Sequence, residues 1–213
     1  MDATAAASFA AHGYAVLRQW LDASAVEALR RDLDAARAAH GLDAAALERS
    51  DCNVDAIGLA SRGRLDAHSP ARREDWAFRT LRRAAVGRAA AAASERAVLG
   101  NLPAAAAAAT GWAAVYLFSE VFVVKPARSR TAFARHRDDA KQLRALGGVE
   151  SASAFASTWA PLGDTSGANG TLVLESLETG AEAVVDCAVG DVVVFDRAAY
   201  HRSGPNLRRK QTV

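Results

Sequence analysis

The stretch Cys187–Asn206, C-A-V-G-D-V-V-V-F-D-R-A-A-Y-H-R-S-G-P-N, decides how this chain is read. Gly190-Asp191 is a turn signal, and the β-branched apolar run behind it has the length of a buried strand. A further turn then delivers His201 into a polar sequence. Upstream, Thr131–Asp139 (T-A-F-A-R-H-R-D-D) sets His136 and Asp138 two positions apart. On a strand, residues i and i+2 point to one face, so an imidazole and a carboxylate spaced this way can grip a single metal ion. H-x-D occurs often by chance, and what singles this one out is the second histidine downstream. Asp139 is the rival carboxylate and faces the other side of the strand. His136, Asp138 and His201 together make two imidazoles and one carboxylate. Such a set occupies one face of a ferrous ion and leaves the other positions to substrate and oxygen. A structural zinc site would want four ligands and more cysteine. The plain alternatives are a surface histidine between Arg135 and Arg137, and a satisfied histidine in a turn at 201.

Outward from these two pieces, the second half of the chain is a series of short apolar runs. Strands are expected at Ala113–Phe118, Val121–Lys125, Ser157–Leu162, Thr171–Leu174, Ala183–Cys187, Asp191–Phe195 and His201–Ser203. Turn signals separate them, among them Gly147-Gly148, Gly167-Ala168-Asn169-Gly170 and Thr179-Gly180. Many short strands at this spacing point to a barrel or jelly roll. The first half is mainly helical. Tyr14–Leu17 alternates like a strand, Ser24-Ala25-Val26-Glu27 has the form of a capping box, and Gly41 is placed to close the helix that follows. Ala44–Arg64 reads as connection and part of a lid, and Asp139–Ser153 as a second lid segment. Arg72–Arg96 is helical, and Asn101-Leu102-Pro103 opens another helix. The expected class is α+β: one domain over 1–213, with helices in 1–111 and a β core in 112–213.

Composition sets the outer bounds. A chain of 213 residues can bury a real core, although much of its 51% hydrophobic content is alanine and covers little area per residue. A net charge of +2 argues against a polyanion binder, so nucleic acid is not an expected partner. The arginine-rich Arg62–Arg88 segment could form a basic rim, but a solvated helix face explains it better, since charged helix faces are usually just exposed. Cys52 and Cys187 make no disulfide framework and suggest a reducing compartment. No charge-free apolar window of about 18 residues is present, Met1–Ala11 lacks a basic region, and Gln211-Thr212-Val213 is no peroxisomal address. The expectation is a cytoplasmic protein with no membrane span.

In order and combination, several of these segments resemble the phytanoyl-CoA dioxygenase family of Fe(II)- and 2-oxoglutarate-dependent oxygenases. The similar segments are F-A-A-H-G-Y-A-V-L-R-Q-W-L-D-A-S-A-V-E-A-L, V-V-K-P before H-R-D, S-T-W-A-P-L-G-D with A-N-G-T-L, then G-D-V-V-V-F-D and Y-H-R-S-G-P-N. The resemblance implies a double-stranded β-helix, of jelly-roll or cupin type, flanked by the N-terminal helices. It implies that His136, Asp138 and His201 bind iron, and that Lys125 and Trp159 contact 2-oxoglutarate. It also implies an arginine clamp after the distal histidine, for which Arg209 and then Arg208 are the candidates. A guanidinium fork suits a carboxylate because it offers two parallel donors. The implied reaction consumes O2, converts 2-oxoglutarate to succinate and carbon dioxide, and hydroxylates an aliphatic C–H of a small-molecule or acyl substrate. The chain departs from the family in three ways. The arginines lie close after His201, the last barrel strand is expected only to begin near Val213, and Leu174-Glu175-Ser176-Leu177 replaces a Pro-Gly-Ser-His-like turn. A non-catalytic barrel that keeps the fold and a metal is the competing expectation.

Overall fold

The computed structural model describes residues 3–65, 75–115, 117, 119–138, 155–163 and 165–213. Asp139 and the expected lid segment Asp139–Ser153 lie outside the described residues. The chain opens with α1 (Ala3–His12), β1 (Tyr14–Leu17) and the long α2 (Ala23–His40). α2 is capped two residues earlier than the Ser24–Glu27 pattern implies. Asp22 accepts the Ala25 N–H at 2.7 Å, while the Ser24 hydroxyl donates to the same carboxylate at 2.6 Å. A carboxylate is the stronger acceptor for orphan helix N–H groups, so it takes the cap and the serine serves it. Gly41 closes α2 in the left-handed region, at φ 61°.

The segment expected to be an irregular connection is ordered. It forms α3 (Ala44–Arg49), β2 (Asn53–Val54) and α4 (Ala56–Ala60), with Asp43 and Asp55 as side-chain caps. Then come α5 (Asp75–Val86), α6 (Arg88–Arg96), a π-helical turn over Ala97–Asn101 and α7 (Leu102–Thr110). Among the arginines described in Arg62–Arg88, Arg62, Arg64 and Arg88 are exposed, while three others are tied into ion pairs. Arg82 is buried and pairs with Asp32 and Glu120, and Arg79 and Arg83 both pair with Glu95.

After α7 come β3 (Phe122–Val123), β4 (Phe133–His136), β5 (Ala156–Trp159), β6 (Leu172–Glu175), β7 (Glu182–Val184), β8 (Val192–Asp196) and β9 (His201–Ser203). The strand expected at Ala113–Phe118 is not formed by its described residues. Val115 and Leu117 pack against the helical core without a ladder partner. Among the described residues these strands form three antiparallel sheets, ordered β1-β8-β5, β4-β9-β6-β7 and β2-β3. β1 and β2 come from the helical half of the chain and pair with strands of the second half.

β8 shows how the layers stack. Val192 and Val194 join the core shared with the helices, while Val193 and Phe195 join a second cluster with Leu172 and Leu174 of the other sheet. β1 divides in the same way, with Ala15 and Leu17 toward the helices and Tyr14 and Val16 toward the opposite sheet. β8 is buried on both faces, which is why Val192-Val193-Val194-Phe195 is continuously apolar instead of alternating, whereas β1 is buried toward the helices and half-buried toward the second sheet. Helices, the β1-β8-β5 sheet and the β4-β9-β6-β7 sheet therefore form successive layers. No helix among the described residues is long and apolar enough to cross a membrane.

Candidate metal centre

β9 pairs with β4 so that His201 stands directly across from His136. Cross-strand partners project side chains to one face, and the two imidazole centroids are 4.2 Å apart. Asp138 reaches the same point by a different route from the one the H-x-D spacing suggests. β4 ends at His136, and Asp138 sits in a bend beyond it. Ligand atoms of His136, Asp138 and His201 all lie within 4.8 Å of one another. His201 Nε2 is 3.7 Å from Asp138 Oδ1.

Hydrogen bonding leaves both rings presenting the same nitrogen. His201 Nδ1 contacts the Ala199 carbonyl at 3.2 Å, and His136 Nδ1 contacts the Ala134 carbonyl at 2.7 Å. A carbonyl can only accept, so Nδ1 carries a proton in both rings, and in the neutral form of each ring Nε2 is the nitrogen with the free lone pair. Burial pushes the His201 pKa below the ordinary histidine value, against the opposing pull of Asp138 and the Ala199 carbonyl. A neutral imidazole is the form that ligates a metal. The Phe195 ring, 4.8 Å from His201, supplies part of that burial. Asp138 is held in turn by Ser157, whose hydroxyl donates to Oδ2 at 2.6 Å. Two imidazoles and a carboxylate, with no thiol among them, are a donor set that fits ferrous iron.

The centre opens onto a cavity of about 240 Å³ lined by His136 and His201 together with Lys125, Trp159, Asn53 and Thr212, among others. Lys125 is buried at 2% exposure, and its ammonium donates to Ser203 Oγ at 2.8 Å and to the Gly204 carbonyl. Burial lowers its pKa to about 8. Gly170 makes room for it. At φ +78° a side chain is strained, and a Cβ there would lie 2.5 Å from the Gly204 oxygen and 3.1 Å from Lys125 Nζ. Arg208 and Arg209 are placed elsewhere. Both are exposed and neither lines the cavity, and Arg208 Nη2 reaches Ser166 Oγ at 2.9 Å. Arg202 lines the cavity, but its guanidinium is engaged by both carboxylate oxygens of Glu182. Asn53, Thr212 and Ser157 carried no local sequence signal, because they reach the site only through sheet pairing.

No family model matches the chain, and no curated protein matches it. Solved structures do. AviO1 from Streptomyces viridochromogenes Tue57 superposes with a TM-score of 0.65 at 19% identity, over 100% of this chain and 91% of that one. EctD from S. alaskensis, solved with 2-oxoglutarate and 5-hydroxyectoine, gives 0.63 at 18% identity, over 100% and 73%. The non-haem α-ketoglutarate-dependent epimerase SnoN from nogalamycin biosynthesis gives 0.59 at 15% identity, over 98% and 78%. The chain shares their fold. At these identities the likeness speaks to architecture, and the chemistry has to be argued from the site itself.

Proposed function

We propose that this protein is a non-haem Fe(II)- and 2-oxoglutarate-dependent oxygenase of a small-molecule or acyl substrate. Its two larger sheets are then the halves of a double-stranded β-helix in a single domain over 1–213. The observation that carries the reading is the convergence of ligand atoms of His136, His201 and Asp138 beside a small cavity that also holds a buried lysine. The fold shared with EctD, which was solved with 2-oxoglutarate, supports the same cosubstrate.

His136, Asp138 and His201 would hold the ferrous ion. Bound there, iron supplies the activation of O2 that couples decarboxylation of 2-oxoglutarate, yielding succinate and carbon dioxide, to oxidation of a substrate C–H. The chain's own residues do the rest. Lys125 meets the far carboxylate of 2-oxoglutarate with a desolvated ammonium, an interaction far stronger inside the cavity than in water. The carboxylate clamp thus falls to Lys125, since Arg208 and Arg209 lie outside the lining. Trp159, with Val123, Phe133 and Leu172, walls the cavity with apolar surface and limits water around the reacting groups. The expected outcome is hydroxylation of an aliphatic C–H. An epimerase with this fold shows that product analysis must decide the final step.

The test is succinate release from 2-oxoglutarate in the presence of Fe(II), O2 and a panel of candidate substrates. Turnover should require iron and vanish in His136→Ala. Turnover that survives a chelator overturns the proposal. Metal binding without any succinate would leave a metal-holding barrel of the same fold.

A further inference from the structure

Ser157 belongs to β5, in the sheet opposite the one that carries the two histidines. Its hydroxyl spans the gap between sheets and meets Asp138 Oδ2 at 2.6 Å. An ionised carboxylate only accepts, so the serine donates, and a hydrogen bond of this length to a charged acceptor is among the stronger kinds. The bond occupies one carboxylate oxygen. The other, Oδ1, is turned toward His201 Nε2 at 3.7 Å.

The two partners differ in how firmly the backbone holds them. Asp138 lies in a bend past the end of β4, with no ladder position of its own. Ser157 sits mid-strand, paired in register with Phe195 of β8. That same Phe195 packs its ring 4.8 Å from the ring of His201. One rung of the first sheet therefore touches two of the three candidate ligands. Its serine takes the aspartate and its phenylalanine takes the histidine.

We propose that Ser157 is a positioning residue for the metal centre. It pins Asp138 so that a single carboxylate oxygen is presented to the ion, and it thereby sets metal affinity. This rests on the metal-centre reading above. Groups that orient a ligand from behind typically change metal affinity by about 10–100-fold when removed.

The test uses the full chain titrated with Co(II) in the absence of oxygen and cosubstrate, followed by calorimetry and by the visible absorption of the bound ion. Thermal unfolding of the metal-free protein is recorded alongside. Ser157→Ala should weaken Co(II) binding by about 10–100-fold, alter the absorption spectrum and leave metal-free unfolding nearly unchanged. Ser157→Thr, which keeps the hydroxyl on a residue suited to a strand, should restore binding. Should Ser157→Ala not fold, Ser157→Val tests the same point with a strand-forming residue that has no donor. Wild-type affinity and spectrum in the alanine or valine variant overturn the proposal. So does a threonine variant as weak as the alanine one. A wild-type chain that binds no Co(II), matching His136→Ala, overturns the metal-centre reading itself, and Ser157's role falls with it.

Discussion

Lys125 connects burial to function most directly at the scale of a residue. Its pKa falls from 10.5 to about 8 because the ammonium loses water. Below about pH 8 the lysine is charged both folded and unfolded, and the folded state carries the desolvation cost. Between about 8 and 10.5 the folded lysine is neutral while the unfolded one still holds its proton, so stability rises with pH across that window. Cosubstrate binding runs the other way, because a carboxylate needs the charged form. Affinity for 2-oxoglutarate should be flat below about pH 8 and fall by up to tenfold per pH unit above it. Calorimetry at about pH 7 and about pH 9 measures this, and Lys125→Met should weaken binding and abolish the pH dependence. Gly170 guards the same contact. Gly170→Ala should cost more than about 1 kcal/mol in denaturant unfolding and weaken 2-oxoglutarate binding, since the Gly204 carbonyl in its way is backbone and cannot swing aside.

Among elements, α2 and α5 are joined by a buried ionic cluster. Asp32 on α2 is 0% exposed and pairs with Arg82 of α5, which also bonds Glu120 at 2.8 Å, while Ser94 of α6 donates to Asp32. Removing one partner leaves a buried charge uncompensated. Arg82→Met should destabilise the fold by about 3–5 kcal/mol in urea unfolding, and adding Asp32→Leu should recover part of that loss. The apolar face of α2, Val26, Leu29, Leu33 and Ala36, is legible in the sequence because 3.6-residue periodicity is local. Asp32 is not legible as a core residue, since the arginine that makes its burial tolerable comes 50 positions later. Strands were legible in proportion to their burial. β8 stood out as a continuous apolar run, whereas β2, two residues long, exists only because β3 pairs with it.

For the whole molecule, a metal held by both histidines and Asp138 would tie β4 to β9 and, through Ser157, tie the two sheets together. Saturating Co(II) should therefore raise the melting temperature. At about 100 times Kd the gain is about 2.7 kcal/mol, and His201→Ala should remove it. By itself the sequence determined the α+β class, the helix end at Gly41, the buried valine strand, and the two histidines and the aspartate that cluster at the candidate centre. Those signals are periodicity, turn chemistry and rare residues in a fixed order, all of which act over a few positions. Only the tertiary structure decided the rest. It set Lys125 in the cavity and left Arg208 and Arg209 outside, turned Ser157 onto Asp138, and brought Asn53 and Thr212 to the same wall. Each of those placements depends on which strands pair and in what register, and that is fixed by burying both faces of β8, and the helix-facing side of β1, between helices and a second sheet.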